Sequence, residues 1–443
     1  MRFAAGKNSA RNYSVFLGPC EECGIMQRLS KAFDDMGIQN HFYCLCDTLE
    51  AEKSIRLPND IYAMKLYWKH TDKIKTSCGL QKRLYVLMQM FDCIWIFLHC
   101  LLRHDQFIYI FGHTIFYFND YLRKIRYHEL WILKLFRKKI IMLYIGSDSR
   151  APYCGVDIYK NLYRATRAQA KRVGKVEKYA DYVIDNPASS HFHRKKFINF
   201  FQIGVPMDES QIVEKDSTGL DAEKGNRVVI LHAPSVRKAK GTEDIEKIIS
   251  ELSRKYSIDY IEISGMPHDE VLNALKKADI VVDQAYTDTP LAALASEACI
   301  NGVAVIVGGY YSEEIKKVFP SANLPTVYCM PEEIGERIEL LINDARKRVE
   351  IGKRGKRYVL DHTMAPIVAK KLICMFEDVV PKEWFYDPED ATYLFGLGMR
   401  KDRFIERLIP MIDEYGFESL CLPSESKLLQ GYKKLYHDCK DVK

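Results

Sequence analysis

The sequence predicts an α/β protein built on parallel strands that alternate with helices. Short apolar runs and amphipathic helical patterns alternate regularly between residues 228 and 309, and less regularly within the first 206 residues. Strands that are connected through helices run parallel, with helices on both faces of the sheet. At 443 residues the chain is long enough for two such domains, each burying its own core.

The N-terminal half begins with a strand at residues 13–17 that ends in a turn at Gly18. A helix starts at Gly24 and ends before Gly37. The polar residues 47–77 are expected to form an insertion or loop. The later predicted elements are strands at residues 106–111, 139–145 and 182–185, a helix at 159–179 and an apolar run at 197–203.

The C-terminal half repeats a strand and helix unit. Its predicted strands cover residues 228–231, 258–264, 279–283 and 303–307, with helices at about 242–256, 267–277 and 290–301. The polar, acid-rich residues 207–226 predict a linker. Further helices are expected at residues 332–344, 345–360, 365–378 and 402–415.

Residues 84–102 form a helical stretch with almost no charge, long enough to span a bilayer. Its polar members Gln89, Asp92 and His99 fall within a narrow arc of one helical face. Such a helix is more often packed within a domain, so a buried helix is expected. A helix in contact with a membrane surface and a true span remain open as alternatives.

Charge and cysteine content narrow the class of function. A net charge of +6, from 65 Lys and Arg against 59 Asp and Glu, is too mild to require a nucleic-acid partner. Thirteen scattered cysteines indicate free thiols in a reducing cytoplasm, and Cys20, Cys23, Cys44 and Cys46 match no common zinc module. No signal peptide is apparent. We expect a cytoplasmic protein, with the cytoplasmic face of the membrane as an alternative location.

Charged and polar side chains follow the strands of the C-terminal half, where an open parallel sheet binds its ligands. Arg237 and Lys240 follow the first of these strands and could both bind a phosphate. Thr289 is expected to cap a helix with Pro290 at its first position. Because the first turn of that helix carries no acid, a diphosphate is expected at residues 289–292.

These segments resemble the C-terminal domain of nucleotide-sugar-dependent glycosyltransferases of the family 4 type, which have the GT-B fold. The matching residues are His232-Ala233-Pro234-Ser235, Arg237, Lys240-Gly241-Thr242, Ala278-Asp279-Ile280-Val281-Val282-Asp283-Gln284, Glu297-Ala298 and Gly302. The resemblance implies that Arg237 and Lys240 hold the donor diphosphate and that Glu297 holds the donor ribose. The first glutamate of the Glu-x7-Glu motif of the family is Thr289 here.

The same resemblance implies two Rossmann-like domains that face a cleft. The acceptor-side domain would cover residues 1–206, the nucleotide-sugar domain residues 227–363, and a crossover helix with a helical extension residues 364–443. The candidate nucleotide-sugar-binding residues are Gly18, Asp283, Gln284, Thr289, Pro290, Leu291 and Glu297.

Two residues of the N-terminal half are further catalytic candidates. His113 follows the strand at residues 106–111, and Asp148 lies in a loop, residues 146–150, that is similar to one in the same glycosyltransferases. His113 could orient the donor sugar or shuttle a proton, and Asp148 could accept a proton from an acceptor hydroxyl. Each residue also has a purely structural alternative. His113 could be a strand-end residue whose hydrogen bonds are all made within the protein, Asp148 could cap its turn, and Gly18 could only permit a turn.

The expected activity is transfer of a sugar from a nucleoside diphosphate sugar to a hydroxyl of a glycan or lipid-linked acceptor, in polysaccharide or glycoconjugate synthesis. The resemblance implies retention of anomeric configuration, whereas inversion would require Asp148 or His113 as the base. Arg237 and Lys240 would stabilise the leaving diphosphate without a metal or cofactor. Thr289 leaves open a non-catalytic binding or scaffold subunit, and a sugar-nucleotide epimerase is a third option.

Overall fold

The computed structural model describes residues 13–46, 62–213, 227–321 and 323–441. Its strands form two sheets. The strands are β1 (Ser14–Gly18), β2 (Gln39–Phe42), β3 (Gln106–Ile110), β4 (Lys139–Leu143), β5 (Tyr182–Asp185), β6 (Phe197–Asn199), β7 (Val228–His232), β8 (Ile258–Glu262), β9 (Ile280–Val282), β10 (Ala304–Gly308), β11 (Val327–Cys329) and β12 (Phe385–Tyr386).

Helices connect most of these strands. They are α1 (Ile25–Asp35), α2 (Tyr62–Thr76), α3 (Gly79–Arg103), α4 (His128–Leu135), α5 (Leu162–Tyr179), α6 (Phe200–Ile203), α7 (Arg237–Lys240), α8 (Thr242–Leu252), α9 (His268–Leu275), α10 (Ala293–Ile300), α11 (Ile315–Val318), α12 (Ile334–Asn343), α13 (Ala345–His362), α14 (Ala365–Phe376), α15 (Lys401–Tyr415) and α16 (Lys427–Asp441).

The sheet topology confirms the predicted α/β fold class. One sheet has the order β12-β6-β5-β4-β3-β1-β2 and the other β11-β10-β9-β7-β8. In the second sheet β7 pairs in parallel with β8 and β9, with Val228 opposite Ile258 and Ile230 opposite Ile280. In the first, β1 pairs in parallel with β2 and β3, and β12 is antiparallel to β6. Parallel pairing gathers the loops after the strands at one edge.

The chain separates into two compact units. The described residues within 1–142 and 179–181 form the first, and those within 143–178 and 182–443 form the second. Strands β1 and β3 are fully buried in the first unit, as are β7 and β10 in the second. A parallel strand covered on both faces needs apolar residues on both, which is why these segments show continuous rather than alternating hydrophobicity.

Helix α10 begins later than the sequence suggests, so the predicted cap at Thr289 and first helical position at Pro290 are wrong. The helix starts at Ala293, and Ala292 occupies its N-cap position in an extended conformation. The backbone N–H of Thr289 donates instead to the Thr287 hydroxyl oxygen at 3.2 Å. A local side-chain acceptor of this kind competes with helical hydrogen bonding, and residues 289–292 form an irregular connection.

Part of the predicted loop at residues 47–77 is also helical. Residues 62–76 form α2, whose buried face includes Ala63, Met64 and Tyr67, while residues 47–61 lie outside the described chain. The helical spacing of the apolar residues is obscured in the sequence by Lys65 and Lys69, which lie among them. In the predicted linker, residues 214–226 lie outside the described chain as well.

The predicted burial of the apolar stretch at residues 84–102 is wrong for one of its faces. In the described ranges, α3 is the one helix long and apolar enough to cross a membrane, with a mean hydropathy of 1.7 over 18 residues that are 44% buried. Its polar residues Gln89 and Asp92 are buried, whereas Phe91 and Trp95 are 61% and 64% exposed. The polar stripe packs on α2, where Asp92 Oδ2 lies 2.5 Å from His70 Nδ1.

Candidate active site

Lys240 and Asp283 meet at the carboxyl ends of β7 and β9. Lys240 Nζ lies 3.2 Å from Asp283 Oδ1, and the Asp283 carboxylate is completely buried. The backbone reinforces this contact, because the N–H of Ala285 donates to the Lys240 carbonyl at 2.9 Å. Gln284 Nε2 donates to the second Asp283 oxygen at 3.3 Å. Three predicted site residues therefore form one cluster, in which a buried carboxylate positions an ammonium group.

Arg237 lies in the same short helix but binds different partners. Its guanidinium donates to Glu246 at 3.0 Å and also to Glu262. The Arg237 side chain is 45% exposed. Arg237 and Lys240 thus have no common partner in the structure. Arg237 would have to leave its two carboxylate partners in order to bind a phosphate held by Lys240.

Glu297 is fixed by two residues that the sequence did not suggest. Its Oε1 accepts hydrogen bonds from His268 Nε2 at 2.8 Å and Gln211 Nε2 at 3.2 Å. Glu297 is buried, whereas 54% of the His268 side chain is exposed. His268 directly follows Pro267 at the start of α9, and its position after β8 is the one signal that could have marked it. His268 and Glu297 together offer a donor and an acceptor to a neutral polyhydroxyl ligand.

The connection before α10 holds the other predicted donor-site residues. Tyr328 donates to the Thr287 carbonyl and Thr326 to the Pro290 carbonyl, each at 2.8 Å. Leu291 is buried. Within the described chain, the buried hydroxyl of Thr289 has no hydrogen-bond partner. The N-terminus of α10 has neither an acid in its first turn nor a side-chain cap, so an anion would face positive backbone dipoles there.

A buried ion pair joins three strand-end loops of the second unit. Arg150 Nε and Nη2 lie 3.1 Å and 2.5 Å from Asp288 Oδ2, and both side chains are at least 95% buried. Asn186 Nδ2 donates to the Asp288 carbonyl at 3.2 Å. The sequence marks the loop that contains Arg150, but nothing in it indicates that Arg150 contacts Asp288 or that Asn186 lies nearby, because these residues are far apart along the chain.

Asp148 caps the turn that follows β4, which is one of the two roles expected for it; the other is that of a proton acceptor. Its carboxylate accepts hydrogen bonds from the N–H groups of Gly146 at 2.7 Å and Ile145 at 3.2 Å. Burial raises its pKa to about 7, and the nearby Asp185 carboxylate adds to the effect. A carboxyl group with a pKa near neutrality can exchange a proton at physiological pH, so the capping position does not remove its capacity for acid–base chemistry.

A histidine bridges two carboxylates next to Asp148. His193 Nε2 lies 2.8 Å from Asp185 Oδ2, and His193 Nδ1 lies 3.3 Å from Glu177 Oε1. Burial disfavours the charged imidazole, but the two carboxylates outweigh it and raise the pKa of His193 to about 9. The imidazolium is therefore charged at pH 7 and neutralises part of the negative charge near Asp148.

His113 and Gly18 lie in the first unit, after β3 and at the end of β1. His113 stacks on Tyr117 with ring centroids 3.8 Å apart, and its Nδ1 is 3.8 Å from the Cys20 sulfur. At Gly18 the backbone φ is +142°, and a Cβ there would clash with the carbonyl oxygen of Tyr43. Close backbone approach therefore explains the glycine by itself.

A cavity of about 660 Å³ lies in the second unit, next to the loop that contains Asn186. Its wall includes Pro187, which directly follows Asn186 in the chain, together with four aromatic side chains and three lysines. These residues are Tyr311, Phe385, Tyr386, Tyr393, Lys196, Lys317 and Lys382. Several belong to the extension beyond residue 381, for which the sequence offered no role. In the described ranges, no three His, Cys, Asp or Glu side chains are grouped to hold a metal ion.

Comparison with known proteins rests on structure alone. No protein-family model and no curated protein matches the sequence. The crystal structure of Anabaena Alr3699/HepE in complex with UDP and glucose superposes with a TM-score of 0.51, covering 83% of this chain and 100% of that chain at 11% identity. The chain has the GT-B fold. The fold that the family resemblance implied is thereby confirmed.

Two further solved structures are similar over the same extent. Sucrose-phosphate synthase from Thermosynechococcus elongatus gives a TM-score of 0.47 at 11% identity, covering 83% of this chain and 99% of that chain. The Anabaena Alr3699/HepE complex with UDP gives 0.49 at 9% identity, with coverages of 82% and 99%.

Proposed function

We propose that this GT-B protein transfers a sugar from a nucleoside diphosphate sugar to an acceptor hydroxyl. The observation that carries the proposal is the Lys240–Asp283 pair at the strand ends of the five-stranded sheet. Asp283 places a cation beside the loop that leads to α10, whose N-terminus carries no acid. The superposed Anabaena protein binds UDP and glucose, and a donor of that chemical class suits this arrangement.

The proposed chemistry depends on stabilising the leaving diphosphate. Lys240 and the first N–H groups of α10 would face the phosphate oxygens on which charge develops. Glu297 and His268 would bind the ribose hydroxyls. We propose that no metal is required, because these groups already supply positive charge at the diphosphate.

The acceptor proton has two possible destinations that depend on stereochemistry. We propose retention, in which a departing phosphate oxygen takes the proton. With inversion a side chain must take it, and Asp148, whose pKa is about 7, is the group suited to that role in the second unit. The proposed acceptor is a glycan or lipid-linked hydroxyl in cytoplasmic polysaccharide or glycoconjugate synthesis.

Ligand-dependent melting tests the donor site. UDP, GDP, ADP, CMP and their sugars are added separately, and one diphosphate is expected to raise Tm, because a ligand that binds only the folded state adds about 2.7 kcal/mol of stability at a hundredfold excess over Kd. The shift should be lost in Lys240→Ala. It should persist in Lys247→Ala, since the Lys247 side chain is 72% exposed and pairs with Asp244. If no nucleotide changes Tm, the donor site is wrong.

A transfer assay distinguishes the enzyme from the alternative of a non-catalytic binding subunit, which the Thr289 departure favours. Wild-type protein should release nucleoside diphosphate from the donor identified by melting when incubated with a panel of glycan acceptors. Arg237→Ala/Lys240→Ala should have no measurable activity while keeping its circular dichroism spectrum. Nucleotide binding without transfer to any acceptor would support the binding subunit, and near-normal turnover of the double variant would contradict the phosphate assignment.

A further inference from the structure

Helix α3 presents a continuous apolar face to solvent. Eight large side chains recur at intervals of one to four residues along it, and each is between 40% and 82% exposed. This α3 apolar face consists of Leu80, Leu84, Leu87, Met88, Phe91, Trp95, Leu98 and Leu102. It extends for about 33 Å at the usual helical rise. Isolated exposed apolar residues are ordinary on protein surfaces, but a contiguous apolar stripe of this length marks a binding surface.

The opposite face of α3 is anchored in the first unit. Gln89 Nε2 donates to Thr71 Oγ1 at 2.9 Å, and Phe97 packs edge-on against Phe116 with centroids 5.3 Å apart. Asp92, the one charged residue between residues 84 and 102, is buried against α2 and does not reach the α3 apolar face. A helix held by protein along one side and apolar along the other is suited to lie on a surface rather than to cross a bilayer.

Positive charge predominates in the part of the first unit that contains this surface. Residues 62–142 contain fourteen Lys and Arg but five Asp and Glu, and two of these acids, Asp92 and Glu129, are buried. Lys82, Arg83 and Arg103 are exposed near the two ends of α3. The surface potential of this region is therefore positive, and it favours an anionic partner.

A neighbouring segment adds both apolar and basic groups. Asn119 Nδ2 donates to the Val86 carbonyl at 2.9 Å and to Gln89 Oε1 at 3.0 Å, which ties the segment to α3. Beyond Asn119, Tyr121 and Ile125 are 43% and 46% exposed. Arg123 and Lys124 between them are exposed as well. Exposed aromatic and aliphatic groups interspersed with cations are typical of protein surfaces that bind anionic lipid headgroups.

We propose that the α3 apolar face binds the surface of an anionic lipid bilayer, with α3 lying in the interfacial plane. Phe91, Trp95 and the leucines enter the boundary between headgroups and acyl chains, and the surrounding Lys and Arg contact the phosphates. A second copy of the chain is a poorer partner, because two surfaces of the same positive charge repel each other. The proposal concerns the first unit and does not depend on the proposed activity.

Vesicle co-sedimentation of the full-length protein tests the proposal. Wild type is compared on vesicles of phosphatidylcholine with phosphatidylglycerol, at about 70:30, and on phosphatidylcholine alone; we expect binding to be at least about tenfold stronger on the anionic vesicles. Phe91→Ser/Trp95→Ser should reduce that binding about tenfold or more, because two aromatic groups no longer enter the interface. Substitution at exposed sites should leave the Tm of this variant unchanged.

A matched control separates the α3 apolar face from exposed apolar residues in general. Leu340 and Val349 are 49% and 53% exposed, close to the exposure of Phe91 and Trp95, but lie in the second unit. Leu340→Ser/Val349→Ser should bind anionic vesicles as wild type does. In addition, Trp fluorescence should shift to shorter wavelength on these vesicles, and the shift should be smaller in Trp95→Phe.

Four results would overturn the proposal. Wild type that does not sediment with anionic vesicles, or a Phe91→Ser/Trp95→Ser variant that binds equally well, excludes the lipid contact. Self-association of wild type that is lost in this variant, without vesicle binding, assigns the surface to a second copy. Resistance of vesicle-bound wild type to alkaline carbonate extraction indicates a spanning helix instead of an interfacial one.

Discussion

Asp148 lies in a loop where the N–H groups of Ile145 and Gly146 donate to its carboxylate, an arrangement that favours the charged form. Burial acts in the opposite direction and is the stronger influence, so that the pKa rises to about 7. The same residue type in an exposed loop would be fully ionised at neutral pH. The chemical capacity of this residue is therefore set by the structure around it.

Replacing Asp148 tests this pKa through stability. Because the folded-state pKa is raised from 3.8 to about 7, the native state retains a proton that the unfolded state releases between these pH values. The stabilisation is fully present below about pH 4 and is lost as pH rises through about 7, a loss on the order of 2–4 kcal/mol. In Asp148→Asn the free energy of unfolding should fall less over this range.

Urea unfolding from pH 4 to 8 measures the difference. The exposed Asp259 provides the control, and Asp259→Asn should follow the wild-type pH dependence. Parallel pH dependences for wild type and Asp148→Asn would contradict a raised pKa at this position.

At the scale of elements, close packing around α13 depends on glycine. Gly352 lies where an added Cβ would clash with the carbonyl oxygen of Gly302, at the end of α10. At Gly355 a Cβ would lie 2.8 Å from the Cys299 sulfur. Two helices can approach this closely only where a side chain is missing, so glycines inside α13 allow it to pack on the helix that leads from the candidate donor site.

Two helical glycines with different surroundings test this interpretation. Gly352→Ala should destabilise the protein by about 2 kcal/mol or more, because the added methyl group overlaps backbone and forces the helices apart. Gly174 in α5 has nothing within 4 Å of an added Cβ. Gly174→Ala should therefore stabilise by about 0.5–1 kcal/mol through helix propensity alone. Chemical denaturation of both variants measures the two effects, and equal changes of the same sign would contradict the packing argument.

At the scale of the molecule, the residues beyond 381 are an integral part of the second unit. Strand β12 pairs with β6 in the sheet. Tyr432 of α16 is fully buried, with its hydroxyl 2.8 Å from His191 Nε2 and 2.7 Å from the Leu394 carbonyl. Its ring also packs edge-on against Tyr153. The extension thus completes a core that begins near the loop of Arg150.

Shortening the chain tests this role. A chain ending at residue 426 should melt well below wild type, because removal of α16 exposes the apolar surface around Tyr153. Tyr432→Phe keeps the ring and removes only its hydroxyl, and should cost about 1–3 kcal/mol for polar partners left buried. Calorimetric melting measures both changes. Wild-type Tm in the truncated chain would show that the extension is peripheral.

Much of the architecture could be read from local sequence. Strand β5 lies at its predicted limits, and the strands and helices that the sequence predicts in the C-terminal half lie within a few residues of prediction. This succeeded because periodic apolar patterns report burial directly. Strands β11 and β12 and helix α16 have no counterpart among the predicted elements. The start of α10 was missed, since a hydroxyl two residues away took the N–H of Thr289. The roles of the predicted site residues remain predictions.

The sequence by itself determined the α/β class and the segments after β7 and β9 that carry Lys240 and Asp283, and its resemblance to known glycosyltransferases implied the GT-B fold and the role of Glu297 in α10. Only the tertiary structure decided which groups meet, as with Arg150 and Asp288 or with His268 and Glu297. It also decided that α3 buries its polar stripe and exposes its apolar one. The periodicity of polar and apolar residues shows which side chains share a face of a helix. It does not show which face packs against the rest of the protein, because that depends on residues distant in the chain.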